Sequence, residues 1–220
     1  MRSMRKQLIV LAVMLMAGIL LAGCGKIEGY HYADSETYSA GDFSYAEDSI
    51  DSVEINWIAG NVYIDESVAD ELSVYEESGK ELTDDEKLRY KIDGRKLIIQ
   101  FCKSDTDVDD KKKDLYVKLP ILLQDVDINV VSANAEMVSS ATGISCDSVS
   151  GELYMYIDQC ENLEINSVSG DSHVILDYDL SAKIDFDSVS GKCKAIEKTT
   201  DKTVNIDCHT VSGNLEVAAE

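Results

Sequence analysis

The segment Ile144-Ser145-Cys146-Asp147-Ser148-Val149-Ser150-Gly151 decides the fold, because its pattern returns several times along the chain. Its last four residues recur as Ser-Val-Ser-Gly or Thr-Val-Ser-Gly, and the glycines lie 19, 21 and 22 residues apart: Gly151, Gly170, Gly191 and Gly213. Two degenerate copies end at Gly60 and Ala133. A period of roughly 20 residues indicates a repeat architecture in which each unit stacks on its neighbour.

When the copies are aligned on this last position, their apolar residues fall into shared columns. Seven positions before it stand Val53, Val126, Ile144, Leu163, Ile184 and Ile206, and five before it stand Ile55, Ile128, Cys146, Ile165, Phe186 and Cys208. Four positions after it stand Ile64, Met137, Met155, Val174, Ala195 and Val217. Apolar side chains at every second position predict strands with one buried face. The sequence therefore predicts an all-β fold, a single-chain parallel β-solenoid whose equivalent positions stack about 4.8 Å apart.

Residues 66–120 do not follow this period, although they contain short runs typical of strands. We expect strands near residues 72–75, 88–92, 96–101 and 115–119, and a hairpin over residues 90–101 that turns at Asp93-Gly94. The predicted solenoid domain spans residues 49–220. Within it, residues 49–120 form irregular early coils that cap the stack, and residues 121–220 form the regular repeats.

These motifs resemble the bacterial DUF4097 family, whose members also carry the label "putative adhesins". The resemblance rests on the Ser-Val-Ser-Gly repeats with alternating apolar flanks, on Lys118-Leu119-Pro120 leading into them, and on the earlier Ala59-Gly60 copy. It covers roughly residues 49–217. It implies a β-solenoid and a role at the cell envelope, sometimes in sensing envelope stress, and it implies no catalytic residues. Of the Ser-Gly-Asp corners common in the family, only Ser169-Gly170-Asp171 is kept.

The N-terminus has the pattern of an export signal. Three basic residues precede an apolar run over residues 8–21, which ends at Leu21-Ala22-Gly23-Cys24. This ending resembles the lipobox of bacterial lipoproteins, which implies cleavage after Gly23 and a diacylglycerol on Cys24. We therefore expect residues 1–23 to be removed, residues 24–48 to be a lipidated cysteine with a flexible tether, and the protein to be anchored on the extracytoplasmic side of the cell membrane. A plain cleaved signal or an uncleaved membrane helix is the alternative.

The charge of the chain restricts its partners. It has 42 acidic and 20 basic residues, a formal net charge of -22, and this charge opposes phosphate binding. We therefore expect no nucleic acid partner, and we expect the negative potential to attract cationic ligands. Apolar residues make up 45% of the chain, which is enough for a packed core.

Lipidation of Cys24 would leave five of the six cysteines. Cys146 and Cys208 fall in an inward column, and Cys193 aligns with Leu153 and Leu215, so we expect these three to pack in the core. Cys102 and Cys160 fall at a strand end and a turn and are better candidates for pairing. The sequence leaves the disulfide status of all five open.

Sites for a metal or for catalysis are not predicted. Asp105-Thr106-Asp107-Val108-Asp109 has the opening spacing of a calcium-binding EF-hand loop, but Asp110 and Tyr116 stand where the loop needs glycine and glutamate. The three histidines, His31, His173 and His209, have no metal-ligand spacing, and the chain has no CxxC or GxSxG motif. We expect no metal, no cofactor, no catalytic residue and no enzymatic activity.

Three functions remain, in order of preference. The first is a non-enzymatic binding module of the cell envelope, adhesin-like or stress-sensing, whose partner is an envelope protein, a peptide or a polymer. The second is an envelope scaffold that self-assembles through an exposed final repeat near residues 215–217. The third is a carbohydrate-active enzyme, since some parallel β-helices degrade polysaccharides. Neither the ligand, the oligomeric state nor the handedness follows from the sequence.

Overall fold

The structure is a computed structural model, and it describes residues 30–45, 50–67, 72–108, 111–120, 123–196 and 198–220. The predicted signal over residues 1–23, the lipidation site Cys24 and the start of the tether lie outside the described residues. Among the described residues, no helix has the length and hydropathy needed to cross a membrane.

The described chain is almost entirely β structure, with two short 3₁₀ turns at Ser35–Thr37 and Asp84–Glu86. The strands in chain order are β1 (Ser39–Ala40), β2 (Phe43–Tyr45), β3 (Ser52–Ser67), β4 (Leu72–Ser78), β5 (Arg89–Asp93), β6 (Lys96–Gln100), β7 (Lys113–Pro120), β8 (Asp125–Ser139), β9 (Gly143–Ser150), β10 (Leu153–Ile157), β11 (Asn162–Ser169), β12 (Ser172–Leu176), β13 (Leu180–Ser188), β14 (Cys193–Ala195), β15 (Lys202–Thr210) and β16 (Leu215–Ala219). The prediction of an all-β, mostly parallel stack is confirmed.

Each sequence copy forms one rung, which consists of a strand before the aligned glycine and a strand after it. We call the strands before this position the first arm and those after it the second arm. In the long strands β3 and β8 both arms belong to one element, so β3 pairs with β6 along its first half and with β7 along its second.

The observed strand register reproduces the columns of the sequence alignment. Val53 pairs with Val126 in the first arm, and Ile64 pairs with Met137 in the second. Farther along, Ile144 pairs with Leu163. The inward side chains of these columns form one continuous buried core. The central expectation, that equivalent side chains stack, is therefore confirmed.

The order of the last two rungs differs from simple sequential stacking. Strand β15 pairs with β11 on one side and β13 on the other, and β16 likewise lies between β12 and β14. The last copy in sequence is therefore inserted one place before the end, and β13 with β14 forms the end rung. The expectation of an exposed final repeat near residues 215–217 is wrong, because Leu215 and Val217 are buried.

Side-chain size in the second arm favours this order. At the two inward positions of the second arm, the β14 copy has Cys193 and Ala195, whereas the β16 copy has Leu215 and Val217. A rung inside the stack buries its side chains against two neighbours and an end rung against only one, so the larger apolar side chains gain more from the inner place. Cys193 and Ala195 are exposed at the end.

The opposite end of the stack is closed by the segment that lacks the repeat period. The expected hairpin is present as antiparallel β5 and β6, with Gly94 in its turn. Strands β6 and β7 form the first rung, and the antiparallel pairs β5 with β1 and β4 with β2 lie beyond it. Short edge strands of this kind leave little backbone free for pairing with other chains.

Candidate functional site

The serines of the repeated motif have structural roles at the corner between the two arms. The second serine of each motif donates its hydroxyl hydrogen bond to a valine carbonyl of the neighbouring rung, as Ser150 does to Val131 at 3.1 Å and Ser212 to Val168 at 3.3 Å. At the first position, the hydroxyl of Thr210 accepts a hydrogen bond from the backbone N–H of Gly213 at 2.7 Å. These bonds satisfy backbone groups at the turn and give the second position of the motif a structural role, whereas at the first position the buried hydroxyls of Ser148 and Ser167 have no hydrogen-bond partner among the described residues.

The glycine of the motif is required by close approach of neighbouring rungs. At Gly170 the backbone has φ +125°, and an added Cβ would lie 2.0 Å from the carbonyl oxygen of Gly151. At Gly151 the corresponding distance to the carbonyl oxygen of Ala133 is 2.1 Å, with φ +133°. Asp171, in the one Ser-Gly-Asp corner, accepts hydrogen bonds from the backbone and side-chain nitrogens of Asn214 at 2.9 Å. Its carboxylate therefore supports the neighbouring rung.

All five described cysteines are free. Cys146 and Cys208 are buried as expected, and burial raises the pKa of the Cys208 thiol to about 12. Cys102 is also buried, although its place at a strand end makes it a candidate for pairing in the sequence. Cys193 is exposed, contrary to expectation, because its rung ends the stack and nothing described covers it.

The sequence-predicted ligand candidates are not brought together. Asp105 binds His31, with 2.9 Å between the carboxylate Oδ1 and the imidazole Nδ1, and Tyr116 lies in β7 on the outer face of the second arm. Within the described part of the chain, no three His, Cys, Asp or Glu side chains are grouped so that they could hold a metal ion.

The outer face of the first arm carries a polar column, several of whose members are hydrogen-bonded to one another. The Asn129 amide donates to Asn56 at 3.0 Å, and the Asn166 amide donates to Asp147 at 3.0 Å. Burial raises the pKa of the Asp147 carboxyl above its ordinary value. Because the last two rungs are exchanged, His209 stands between Asn166 and Asp187 in this column. Hydrogen bonds between the column members leave this face less available to a ligand.

The outer face of the second arm carries a row of aromatic and charged side chains, one from each successive strand. We call it the tyrosine row, and the strand register defines its members as Tyr75, Tyr116, Tyr63, Glu136, Tyr154, His173, Glu216 and Lys194. Eight strands give seven spacings of about 4.8 Å, so the row is about 34 Å long.

The rings of the row stack on one another. The ring centroids of Tyr75 and Tyr116 are 4.7 Å apart with 7° between their planes, and those of Tyr116 and Tyr63 are 5.0 Å apart with 19°. Farther along, the Tyr154 and His173 rings are 4.7 Å apart and again 7° from parallel. Tyr75 is 39% exposed and Tyr154 is 37% exposed, so their rings are accessible to a ligand.

Carboxylates lie within and beside the row. Glu136 stands between Tyr63 and Tyr154, and the Tyr154 hydroxyl donates to Glu152 at 2.8 Å. This hydrogen bond to a carboxylate raises the pKa of the Tyr154 phenol. At the far end, Lys194 pairs with Glu216 and holds the pKa of that carboxyl below its ordinary value. The row therefore combines electron-rich ring faces with negative charge.

A second outward column, two residues farther along each strand, is mainly apolar. It consists of Val138, Tyr156, Ile175, Ala218 and the more exposed Ile196. Together with the tyrosine row it makes an accessible face of aromatic and aliphatic side chains on a protein that is otherwise strongly acidic. Apolar surface of this kind on a folded body commonly marks an interaction site.

Sequence reasoning missed this face because it followed the inward columns. Tyr63, Tyr154 and His173 each stand three positions after the aligned glycine, so an outward column could have been found by the same alignment. Tyr75 and Tyr116 could not, since they belong to the segment that lacks the period.

Comparisons with known proteins show similarity in both sequence and fold. The sequence profile of the family described as Toastrack DUF4097 matches residues 35–218. A solved structure of a "putative cell adhesion protein" from Clostridium sporogenes superposes with a TM-score of 0.55 at 10% identity, covering 83% of this chain and 100% of the other. A "putative adhesin" from Bacteroides fragilis gives a TM-score of 0.30 at 9% identity, covering 81% of this chain and 97% of the other. No curated protein matches the chain.

Proposed function

The chain belongs to the Toastrack DUF4097 family, and from this premise we propose that it is a non-enzymatic binding module of the cell envelope, held at the membrane by a lipid on Cys24. The adhesion name of the neighbour from Clostridium sporogenes and the lipobox-like sequence of residues 21–24 support this proposal. Its ligand is a cationic, extended peptide segment with exposed lysine or arginine side chains.

The observation that carries the proposal is the tyrosine row. A lysine or arginine over an exposed tyrosine ring is stabilised by about 0.5–1 kcal/mol, and by more where water is excluded. Tyr116 is stacked between two other rings, so the rings best placed for a cation are Tyr63 and Tyr154, which have the carboxylate of Glu136 between them. A cation placed there therefore meets both a ring quadrupole and a negative charge.

The charge of the whole molecule favours the same ligand. A net charge of -22 attracts cationic segments over distances set by the ionic strength, and it repels acidic ones. The tyrosine row then adds short-range contacts with its rings, which long-range electrostatic attraction alone does not provide. Binding through the row should depend on both salt and the tyrosine rings.

The test uses a fluorescein-labelled oligo-lysine peptide and fluorescence anisotropy at low and high salt. Tyr154→Ser should weaken binding about two- to fivefold, the equivalent of losing one ring contact. Tyr178→Ser is the matched control, because Tyr178 is 73% exposed but lies in the turn after β12, outside the row. Equal affinity for the Tyr154→Ser variant and the parent, or binding that does not change with salt, would contradict the proposal.

Anchoring is tested separately by labelling cells with radioactive palmitate. The parent chain should carry the label and sediment with membranes, whereas Cys24→Ala should lose both properties. Cys193→Ala changes an exposed cysteine of the folded body and should keep the label. Label retained by the Cys24→Ala variant would contradict lipidation at this residue.

The enzymatic alternative has a direct test of its own. Turnover of cell-wall glycans by the purified protein, at a rate that follows the protein through purification, would replace the binding proposal.

A further inference from the structure

The end rung formed by β13 and β14 lies at an open edge of the sheet. Among the described strands, β13 has β15 as its one neighbour, and β14 has β16. Apolar side chains of this rung are correspondingly exposed, with Val189 at 64% and Ile196 at 50%. An edge strand of nine residues, such as β13, is a template for pairing with another strand.

The charge near this edge is compatible with a second copy of the chain. Residues 180–202 contain five of the 20 basic residues but four of the 42 acidic ones, so this end is close to neutral. The remainder of the molecule is strongly negative and repels another copy. The end rung is therefore a place where two copies can approach with little repulsion.

The sequence of β13 is complementary to itself in one antiparallel register. If Ile184 faces Ile184 of the second copy, Lys183 lies opposite Asp185 of that copy, and Asp185 lies opposite its Lys183. Lys183 and Asp185 are both exposed on the outer face of the strand. Within one chain Asp185 pairs in register with the acidic Asp207, and like charges opposite each other are destabilising. A lysine on the other side of Asp185 would offset that repulsion.

We propose that two copies of this chain associate through antiparallel pairing of their β13 strands about a twofold axis at Ile184. This pairing joins the first-arm sheets of the two copies into one continuous sheet and adds two lysine–aspartate pairs. It also gives the half-buried Ile184 and Phe186 a second neighbour. The contact is isologous and closes as a dimer, since the same edge is used by both copies.

The test co-expresses two full-length copies that carry different C-terminal tags and measures their co-isolation from detergent-solubilised membranes. Lys183→Glu places a carboxylate opposite Asp185, and Asp185→Lys places two ammonium groups opposite each other, so each variant should reduce self-association about tenfold or more. A Lys183→Glu copy paired with an Asp185→Lys copy restores opposite charges at both positions and should co-isolate like the parent. Lys80→Glu, which makes the same charge change in an exposed loop near the other end of the stack, is the control.

The outcomes separate this pairing from association through another surface. Co-isolation of the parent and of the complementary variants, but of neither variant with itself, would support it. Absence of co-isolation of the parent would overturn it. Variants that associate with themselves as well as the parent does would also overturn it, because the copies would then be held together by the lipid anchor or by a different face. The tyrosine row takes no part in this test, so its result is independent of the proposed ligand.

Discussion

Replacement of Gly170 by alanine adds one methyl group at the corner between the two arms, where the backbones of two neighbouring rungs lie close together. The Cβ would lie 2.0 Å from the carbonyl oxygen of Gly151 and 2.9 Å from its carbonyl carbon. Both atoms belong to the backbone, so they can move away only if the rungs separate. Gly170 also has φ +125°, a conformation that residues with a side chain rarely adopt.

The expected loss of stability follows from these two features. An unfavourable positive φ costs about 1–3 kcal/mol, and overpacking that shifts backbone costs about 1–3 kcal/mol more. We therefore expect Gly170→Ala to lower the free energy of unfolding by about 2–6 kcal/mol. A domain of this kind is typically stable by only about 5–15 kcal/mol, so the effect should be large in a denaturation curve.

Urea denaturation followed by the fluorescence of Trp57, the one tryptophan, measures this loss. Two other glycines separate the cost of the close contact from the cost of the positive φ. Gly79→Ala meets no atom within 4 Å and needs no positive φ, so it should change stability by less than about 0.5 kcal/mol. Gly94→Ala has φ +64° in open space and should cost about 1 kcal/mol. If Gly170→Ala cost no more than Gly94→Ala, close stacking at the corner would be refuted.

Three further predictions concern buried and ionised groups. The ammonium of Lys113 lies 2.6 Å from the buried carboxylate of Glu76. Lys113→Met leaves that carboxylate buried without its cation, so it should lower the free energy of unfolding, measured by urea denaturation, by about 3–5 kcal/mol. Adding Glu76→Leu to this variant should restore part of the lost stability. The pKa of Glu86 is lowered to about 2 by Lys111 and by the backbone N–H of Thr83. The ionised carboxylate therefore contributes fully to stability above its ordinary pKa of 4.5, and this contribution is lost as the pH falls towards 2. Glu86→Gln should make the urea midpoint less dependent on pH over that window, and an unchanged pH dependence would contradict this. Under native conditions an alkylating reagent should modify the exposed Cys193 before the buried thiols of Cys102, Cys146 and Cys208. Equally fast modification of the buried thiols would contradict the described rung order.

The sequence predicts the columns well because each inward residue is apolar in every copy. Ile144, Leu163 and Ile206 are interchangeable in type, and all three are buried in one core as expected. Because the copies are so similar, the sequence does not predict the rung order: an alignment of similar copies does not say which copy lies beside which. Small differences such as Ala195 against Val217 favour that order, and they act only once the rungs are packed.

The candidate site was harder to predict for a related reason. Its members differ in type from rung to rung, from Tyr63 through Glu136 to Lys194, so they share no hydrophobic pattern. Their proximity comes from strand register alone, and two of the tyrosines come from strands outside the repeat. The exposure of Cys193 is likewise missed, because the alignment places it inward, whereas its rung has no neighbour on one side among the described strands.

The order of the last two rungs places Glu216 between His173 and Lys194 in the tyrosine row and leaves β13 at the open edge of the sheet. Engineered disulfides test it directly. Glu164 pairs in register with Asp207, one strand spacing of about 4.8 Å away, whereas Asp185 is two spacings, about 9.6 Å, from Glu164. A disulfide requires Cα atoms closer than about 7 Å. After mild oxidation, mass spectrometry should detect the bond in the Glu164→Cys and Asp207→Cys double variant; a bond formed instead in the Glu164→Cys and Asp185→Cys double variant would contradict the account.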